Sequence, residues 1–232
     1  RIGIVRADCN IARLIHDCAL HAAGPFEDAH HLPPGSAPQV IVEGHTDAQL
    51  MCIPAHVSYV VHELLKNSIH RVMQRFAPRL DRTDSQAASS SGEPAFPPIN
   101  VTVCSSHSDI VVRVSDQSGG ISPEILPYIW SFTHPLKAKH LRNFQAVRRM
   151  EARMDEGDDA VSPLMALGFG LPMSRVYARY WGGDVKVHSL PGYGVDAYVH
   201  LPRLGNAVEN ISNRRHQPTA YNTTPASHPH SG

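Results

Sequence analysis

Three short polar motifs, each joined to an apolar segment, constrain the fold of this chain more than any other feature. In order they are Glu63-Leu-Leu-Lys-Asn67, Asp116-Gln-Ser-Gly-Gly120 and Gly168-Phe-Gly-Leu-Pro172. The first lies within a helical apolar periodicity, the second ends an alternating β-type run, and the third precedes another helical periodicity. A fold that suits all three brings together a helix face, a strand end and a helix start.

The apolar periodicities predict helices. One is expected over residues 10–19, with Asp8 or Asn10 as its cap, and the strongest begins at Pro54. The spacing places on one apolar face Val57, Val60, Val61, Leu64, Leu65, Val72, Met73 and Phe76. Two more helices are predicted, a short one over 122–131, weakened by Pro127, and one over 171–181.

Alternating apolar residues predict strands between these helices. The expected strands cover residues 39–43, a hairpin of 99–103 and 110–116, and a second hairpin of 184–190 and 195–201. The first hairpin delivers Asp116 to the sheet edge. The order of elements predicts an α+β fold, a two-layer sandwich of a mixed, mainly antiparallel sheet with helices on one face.

Polar segments of low complexity separate the predicted elements. Residues 24–38 are predicted to be a loop and 81–98 an unstructured insertion. Residues 133–167 form a long polar connection typical of a lid, and 205–232 a disordered tail. The sequence therefore predicts a single domain over residues 1–204.

Composition argues against some classes of partner. Lys+Arg and Asp+Glu both number 21, so no global field attracts nucleic acid or an anionic membrane. No stretch approaches the ~20 apolar residues that a membrane span needs. The cysteines lack zinc-site spacing and are expected to be buried, reduced thiols; they are Cys9, Cys18, Cys52 and Cys104.

The first motif suggests a metal ligand beside an acid. Glu63 and Asn67 are one helical turn apart and project from the same helix face. A carboxamide oxygen suits Mg²⁺, and a neighbouring carboxylate can orient or deprotonate a hydroxyl. The alternative is that both residues belong to the solvated side of an amphipathic helix.

The other two motifs suggest a purine nucleotide. Asp116 can accept the exocyclic amine of adenine, and Gly119 and Gly120 allow the backbone to approach a ring closely. Gly168 and Gly170 allow backbone N–H groups to face a polyphosphate at a helix N-terminus. The alternatives are an ordinary Asp-x-x-Gly turn and a plain loop-to-helix turn. The order and placement of all three motifs favour a site for a purine nucleotide, its phosphates and a metal.

At these residues the chain resembles the GHKL superfamily of ATPases and kinases. More specifically, it resembles the mitochondrial kinases of the pyruvate and branched-chain 2-oxoacid dehydrogenase complexes. The specific similarity lies in His62-Glu-Leu-Leu-Lys-Asn67 and in the stretch from Gly168 to Ala197, which includes Tyr177-Ala-Arg-Tyr180 and Gly192-Tyr-Gly-Val-Asp-Ala197.

The resemblance implies a Bergerat-type ATP-binding fold and ATP- and Mg²⁺-dependent phosphorylation of serine on the E1α subunit, in the mitochondrial matrix. It also implies docking on the lipoyl-bearing E2 core, with a homodimer as a family expectation and no nucleic-acid or membrane partner. Carried over by motif, Glu63 is the general base, Asn67 the Mg²⁺ ligand and Asp116 the adenine anchor. The remaining expected nucleotide contacts are Lys66, Gly120, Thr133, Gly168, Phe169, Gly170 and Leu171.

Four positions depart from the family pattern. The family usually has Gly at Ser118 and Ala166, Arg at His70 and Thr at Val195, and its docking helical bundle is not visible in this sequence. These departures leave open a catalytically impaired nucleotide-binding or scaffold module. A histidine-kinase-type ATPase domain is a further alternative, which the Tyr-Ala-Arg-Tyr signature disfavours. The choice between pyruvate and branched-chain dehydrogenase as target also stays open.

Overall fold

The computed structural model describes residues 4–29, 33, 35–80, 96–132 and 168–203. Within these residues the elements are, in order, β1 (Arg6–Asn10), α1 (Ile11–Ala29), β2 (Val40–Gly44), β3 (Gln49–Cys52), α2 (Pro54–Leu80), β4 (Ile99–Ser105), β5 (Asp109–Asp116), a 3₁₀ turn (Leu126–Tyr128), α3 (Gly170–Tyr180), β6 (Asp184–Leu190) and β7 (Gly194–Pro202). None of the described helices is long and apolar enough to span a membrane.

A five-stranded sheet forms one layer of the molecule. Its strand order is β2-β4-β5-β7-β6, with β2 parallel to β4 and every other pair antiparallel. Inward-facing side chains of β4 and β5, such as Val101 and Val112, are fully buried against the helices. The predicted α+β sandwich with a mixed, mainly antiparallel sheet is confirmed.

Helix α2 supplies much of the core between the two layers. Every residue of its predicted apolar face is buried except Phe76, which is half-buried, and Ile69 joins them. Burying each such Val or Leu side chain contributes about 1.5–3 kcal/mol relative to exposure. The side of α2 that carries Glu63 and Asn67 faces the end of β5 and the start of α3.

Helix α1 is longer than the sequence predicts. Asn10 caps it as expected, because its Oδ1 accepts the Arg13 N–H at 2.7 Å. The helix then continues through Pro25, in the segment predicted to be a loop. Pro25 has no N–H to donate to the carbonyl of His21. The helix is held on both sides of Pro25 by packing, because Ala22 is buried and Phe26 packs against the core.

Other predictions were also incomplete or wrong. Strands β1 and β3, which pair antiparallel as a separate sheet, were not predicted. The helix predicted over 122–131 is only the 3₁₀ turn around Pro127. Phe96, within the predicted insertion, is a core residue, and Cys104 is exposed whereas Cys9, Cys18 and Cys52 are buried. Residues 81–95, the predicted lid at 133–167 and the predicted tail at 205–232 lie outside the described residues.

Candidate functional site

A cavity of ≈ 460 Å³ lies between α2, the end of β5 and the start of α3. Residues from all three motifs line this cavity. The predicted site residues among them are Glu63, Lys66, Asn67, Asp116, Gly120, Gly168, Gly170 and Leu171. Segments more than one hundred residues apart in sequence therefore converge on one space large enough for a small ligand.

Glu63 lines the cavity as a buried, ion-paired carboxylate. It is 1% exposed, and the Lys66 ammonium donates to its Oε2 at 2.9 Å and its Oε1 at 3.0 Å. Burial lowers the pKa of Lys66, and the Glu63 carboxylate opposes that shift. The burial of Glu63 is incompatible with the alternative in which it belongs to a solvated helix face.

The start of α3 packs directly against Glu63. A Cβ on Gly170 would overlap the Glu63 carboxylate, so only glycine fits there. Gly168 has φ of 73°, a left-handed conformation that other residues rarely adopt. The glycine pair thus serves two separate needs, a turn at Gly168 and close approach at Gly170.

Asp116 also lines the cavity, 5% exposed at the last position of β5. Its Oδ2 accepts the Ser68 hydroxyl at 2.6 Å, and its Oδ1 accepts the backbone N–H groups of Ser118 at 2.9 Å and Val195 at 3.2 Å. These donors orient the carboxylate and leave lone pairs for a further donor in the cavity. An ordinary Asp-x-x-Gly turn does not need a buried carboxylate that also binds a side chain of α2, so the ligand-site interpretation is favoured.

The departures at Ser118 and Val195 are accommodated around Asp116. The positive φ values of this turn fall on Gly119 and Gly120, at 94° and 86°, and Ser118 supplies a backbone donor. Val195 also donates through its backbone. Ser68 places a hydroxyl on the other carboxylate oxygen, a contact that sequence reasoning missed because Ser68 and Asp116 are 48 residues apart.

An apolar wall completes the cavity near Asp116. It comprises Ile121, Ile125, Ile129, Val187 and Ala197. Such a wall suits the faces of a planar ring whose polar edge meets a carboxylate. The isoleucines recur every four residues, and that signal was assigned to a helix rather than to a ligand site.

Asn67 lies on the cavity side of α2, one turn from Glu63, as predicted. Its side chain is exposed and offers the hard oxygen that Mg²⁺ prefers. The described residues contain no group of three or more His, Cys, Asp or Glu side chains that could hold a metal. A Mg²⁺ held by Asn67 would therefore need oxygens from water and a ligand.

Two predicted contacts are not placed on the cavity. Phe169, although described, does not line it, and its ring packs against Phe132 with centroids 5.8 Å apart. Thr133 lies outside the described residues, as does Ala166. The cavity also contains Arg71 and Ser122, which the motifs did not indicate.

Comparison with known proteins identifies the family. Residues 52–205 match the model of the histidine kinase-, DNA gyrase B- and HSP90-like ATPases. The chain belongs to this ATPase family. The matched range contains all three motifs and the whole cavity, so the resemblance that the motifs suggested is confirmed at the level of the superfamily.

Several relatives have more specific names. The chain is 36% identical over 178 residues to the mitochondrial pyruvate dehydrogenase (acetyl-transferring) kinase of Arabidopsis thaliana, covering 76% of this chain and 43% of that protein. It is 31% identical over 215 residues to the Schizosaccharomyces pombe kinase of the same name, covering 90% and 44%. For human isozyme 1 the identity is 30% over 224 residues, covering 90% and 42%. The chain thus spans less than half the length of these relatives, and its resemblance to the mitochondrial dehydrogenase kinases is confirmed.

Proposed function

We propose that this chain carries the ATP-binding and phosphoryl-transfer site of a protein-serine kinase that acts on the E1α subunit of a mitochondrial 2-oxoacid dehydrogenase complex. The observation that carries the proposal is the single cavity that gathers Glu63, Asn67, Asp116 and the glycine pair. The names of the relatives favour the pyruvate dehydrogenase complex as target. The mitochondrial matrix, the E2 core and a homodimer are the corresponding proposals for location and partners.

Adenine recognition is assigned to the Asp116 end of the cavity. The Asp116 carboxylate accepts the exocyclic amine, and the isoleucine wall covers the ring faces. The phosphates extend toward Gly168 and Gly170, whose backbone can approach them closely. Asn67 would hold Mg²⁺, which would supply positive charge to the phosphate oxygens.

Transfer is assigned to the Glu63 end. The serine hydroxyl oxygen of E1α bonds to the γ-phosphorus, the bond from that phosphorus to the oxygen that leaves with ADP breaks, and Glu63 takes the hydroxyl proton. Lys66 lies 2.9 Å from Glu63 Oε2 and orients the carboxylate before the proton moves. Burial of both groups strengthens this interaction relative to water.

A second candidate function is a nucleotide-binding module without transfer. It is favoured by the ion pair itself, since Lys66 engages both oxygens of Glu63 and leaves the carboxylate less available as a base. In that module ATP would bind at Asp116 and the protein would act by docking. The two functions differ in whether any chemistry depends on Glu63.

The substitution Glu63→Gln distinguishes the kinase from the nucleotide-binding module. We expect phosphate transfer from radiolabelled ATP to E1α to fall by about 10²-fold or more, because general-base catalysis is lost. The ATP dissociation constant, measured by calorimetry with Mg²⁺, should stay within about twofold, since the amide keeps the shape of the carboxylate and binding is assigned elsewhere. Chelating Mg²⁺ should weaken ATP binding in both proteins.

The matched control is Glu124→Gln, which removes an exposed carboxylate outside the cavity and should leave transfer unchanged. Transfer by the Glu63→Gln protein at the wild-type rate would refute the base assignment. Wild-type protein that binds ATP but shows no transfer to E1α would support the module instead.

A further inference from the structure

Arg75 on α2 makes three hydrogen bonds, all to backbone carbonyls. Its Nη1 donates to the carbonyls of Gln117 and Tyr193, each at 2.8 Å, and its Nη2 donates to the carbonyl of Gly192 at 2.8 Å. It takes part in none of the ion pairs found among the described residues. The guanidinium thus joins α2 to the turn after β5 and to the turn between β6 and β7.

Both of these turns supply donors to Asp116. The Gln117 carbonyl that Arg75 binds belongs to the same peptide group as the Ser118 N–H, which donates to Asp116 Oδ1. Two residues after Tyr193, the N–H of Val195 donates to the same oxygen. Arg75 therefore binds the peptide group that carries one donor to Asp116 Oδ1 and the turn that leads into the other.

The two turns are also bonded to each other beside Arg75. The N–H of Gly119 donates to the Tyr193 carbonyl at 3.0 Å, and the N–H of Gly192 donates to the Gly119 carbonyl at 2.9 Å. A Cβ on Gly119 would lie 3.2 Å from Arg75 Nη1, so the guanidinium packs closely on the turn. The cation polarises the Gln117–Ser118 peptide group and strengthens its N–H as a donor.

We propose that Arg75 is the positioning residue for Asp116, and that it sets the preference of the site for a purine with an exocyclic amine. The inference rests on the proposed function, because Asp116 must contact the base for Arg75 to matter in this way. Ser68 lies two helical turns before Arg75 on α2 and holds the other oxygen, Oδ2. One helix thus fixes both oxygens of the carboxylate. A lysine cannot reproduce the planar fork that reaches several carbonyls at once.

Arg203 offers a matched control. Its guanidinium donates to the Ser106 carbonyl at 3.1 Å, the Gln49 carbonyl at 2.7 Å and the Ser105 hydroxyl at 2.8 Å. This clamp has the same number of bonds and also joins separate segments, but it lies outside the cavity lining. Removing the Arg203 guanidinium shows how the loss of three such hydrogen bonds affects stability without a change in the cavity.

The experiment compares dissociation constants for ATP and for purine riboside triphosphate, which lacks the 6-amino group. We expect wild-type protein to prefer ATP by about tenfold, the loss expected for one buried hydrogen bond. Arg75→Met should remove most of that preference, and Arg75→Lys should give an intermediate value. Arg203→Met should show a preference for ATP within about twofold of the wild-type value, even if it lowers the melting temperature as much as Arg75→Met does.

Asp116→Ala distinguishes the two levels of the proposal. If it loses the preference while Arg75→Met retains it, the positioning assignment is wrong and the adenine anchor stands. If Asp116→Ala retains the preference, the adenine anchor itself fails, and with it the proposed function at this end of the cavity. Should Arg75→Met not fold, Arg75→Lys decides, and an unchanged preference in that variant overturns the inference.

Discussion

Gly170 packs directly against Glu63. The Cα of Gly170 leaves no room for a side chain beside the buried carboxylate, although its backbone is ordinary helix. The motif shows that glycine stands at this position, but not whether glycine serves a turn, a phosphate or a neighbour. Only the packing of α3 on α2 answers that question, and it predicts how a substitution at Gly170 affects activity and stability.

Gly170→Ala should therefore impair transfer in a protein that still folds. Displacing Glu63 by the width of a methyl group is expected to lower transfer by about 10²-fold. The free energy of unfolding should fall by about 1–3 kcal/mol, the usual cost of adding a methyl group to a tightly packed site. Transfer assays and urea unfolding measure the two effects. Gly24→Ala in α1 is the control, since nothing lies within 4 Å of its added Cβ, and it should leave transfer intact. Full activity in Gly170→Ala would contradict this contact.

Among elements, α2 was predictable and α1 only in part, for a physical reason. The apolar face of α2 repeats for many turns, so local pattern and tertiary burial agree. The second half of α1 contains Pro25 and is held by the burial of Ala22 and the packing of Phe26 on the core, contacts that no local pattern contains. Strand β1 reads Arg-Ala-Asp-Cys-Asn and is held by pairing with β3 rather than by its own periodicity.

The junction of α3 and β6 carries a testable ion pair. Asp184 accepts from Arg175 Nε at 2.8 Å and Nη2 at 3.2 Å, and from Arg179 at 3.1 Å. The Arg175 hydrogen bonds are the main cause that lowers the pKa of Asp184 from 3.8 to about 2. Because the folded-state pKa is depressed, this stabilisation is present above pH 3.8 and is lost as the pH falls toward 2.

Asp184→Asn should therefore flatten the acid limb of the stability profile. We expect the wild-type protein to lose about 1 kcal/mol more than the variant between pH 4 and pH 2, a figure reduced for solvent screening. Urea unfolding at several pH values measures the difference. Asp47→Asn removes an exposed carboxylate and should follow the wild-type profile. Parallel curves for Asp184→Asn and wild type would show that the pair contributes nothing to acid sensitivity.

In the whole molecule, the site exists only because three motifs about fifty residues apart converge on one cavity. Their residue types and order predicted the polar ends, Glu63 and Asp116, because carboxylates in such contexts have few structural uses. The isoleucine wall and Ser68 were not predicted, since apolar residues and serines have many uses and only their meeting in space selects one. The cavity is thus a property of the tertiary fold rather than of any single segment.

This dependence on the whole fold predicts how ATP affects stability. The cavity walls come from α2, β5, α3, β6 and β7, so unfolding destroys the binding site. Free ATP with Mg²⁺ at 100 times its dissociation constant should then raise the free energy of unfolding by about 2.7 kcal/mol, which a thermal or urea titration measures. Glu63→Gln should show the same increase, because it is expected to retain binding. Asp116→Ala should show a smaller increase at the same ATP concentration, between about 0.3 and 1.8 kcal/mol, if the lost acceptor weakens ATP binding by about 1–3 kcal/mol. An equal increase in Asp116→Ala would mean that the nucleotide does not contact the carboxylate, and no increase in any of these proteins would mean that the cavity does not bind ATP.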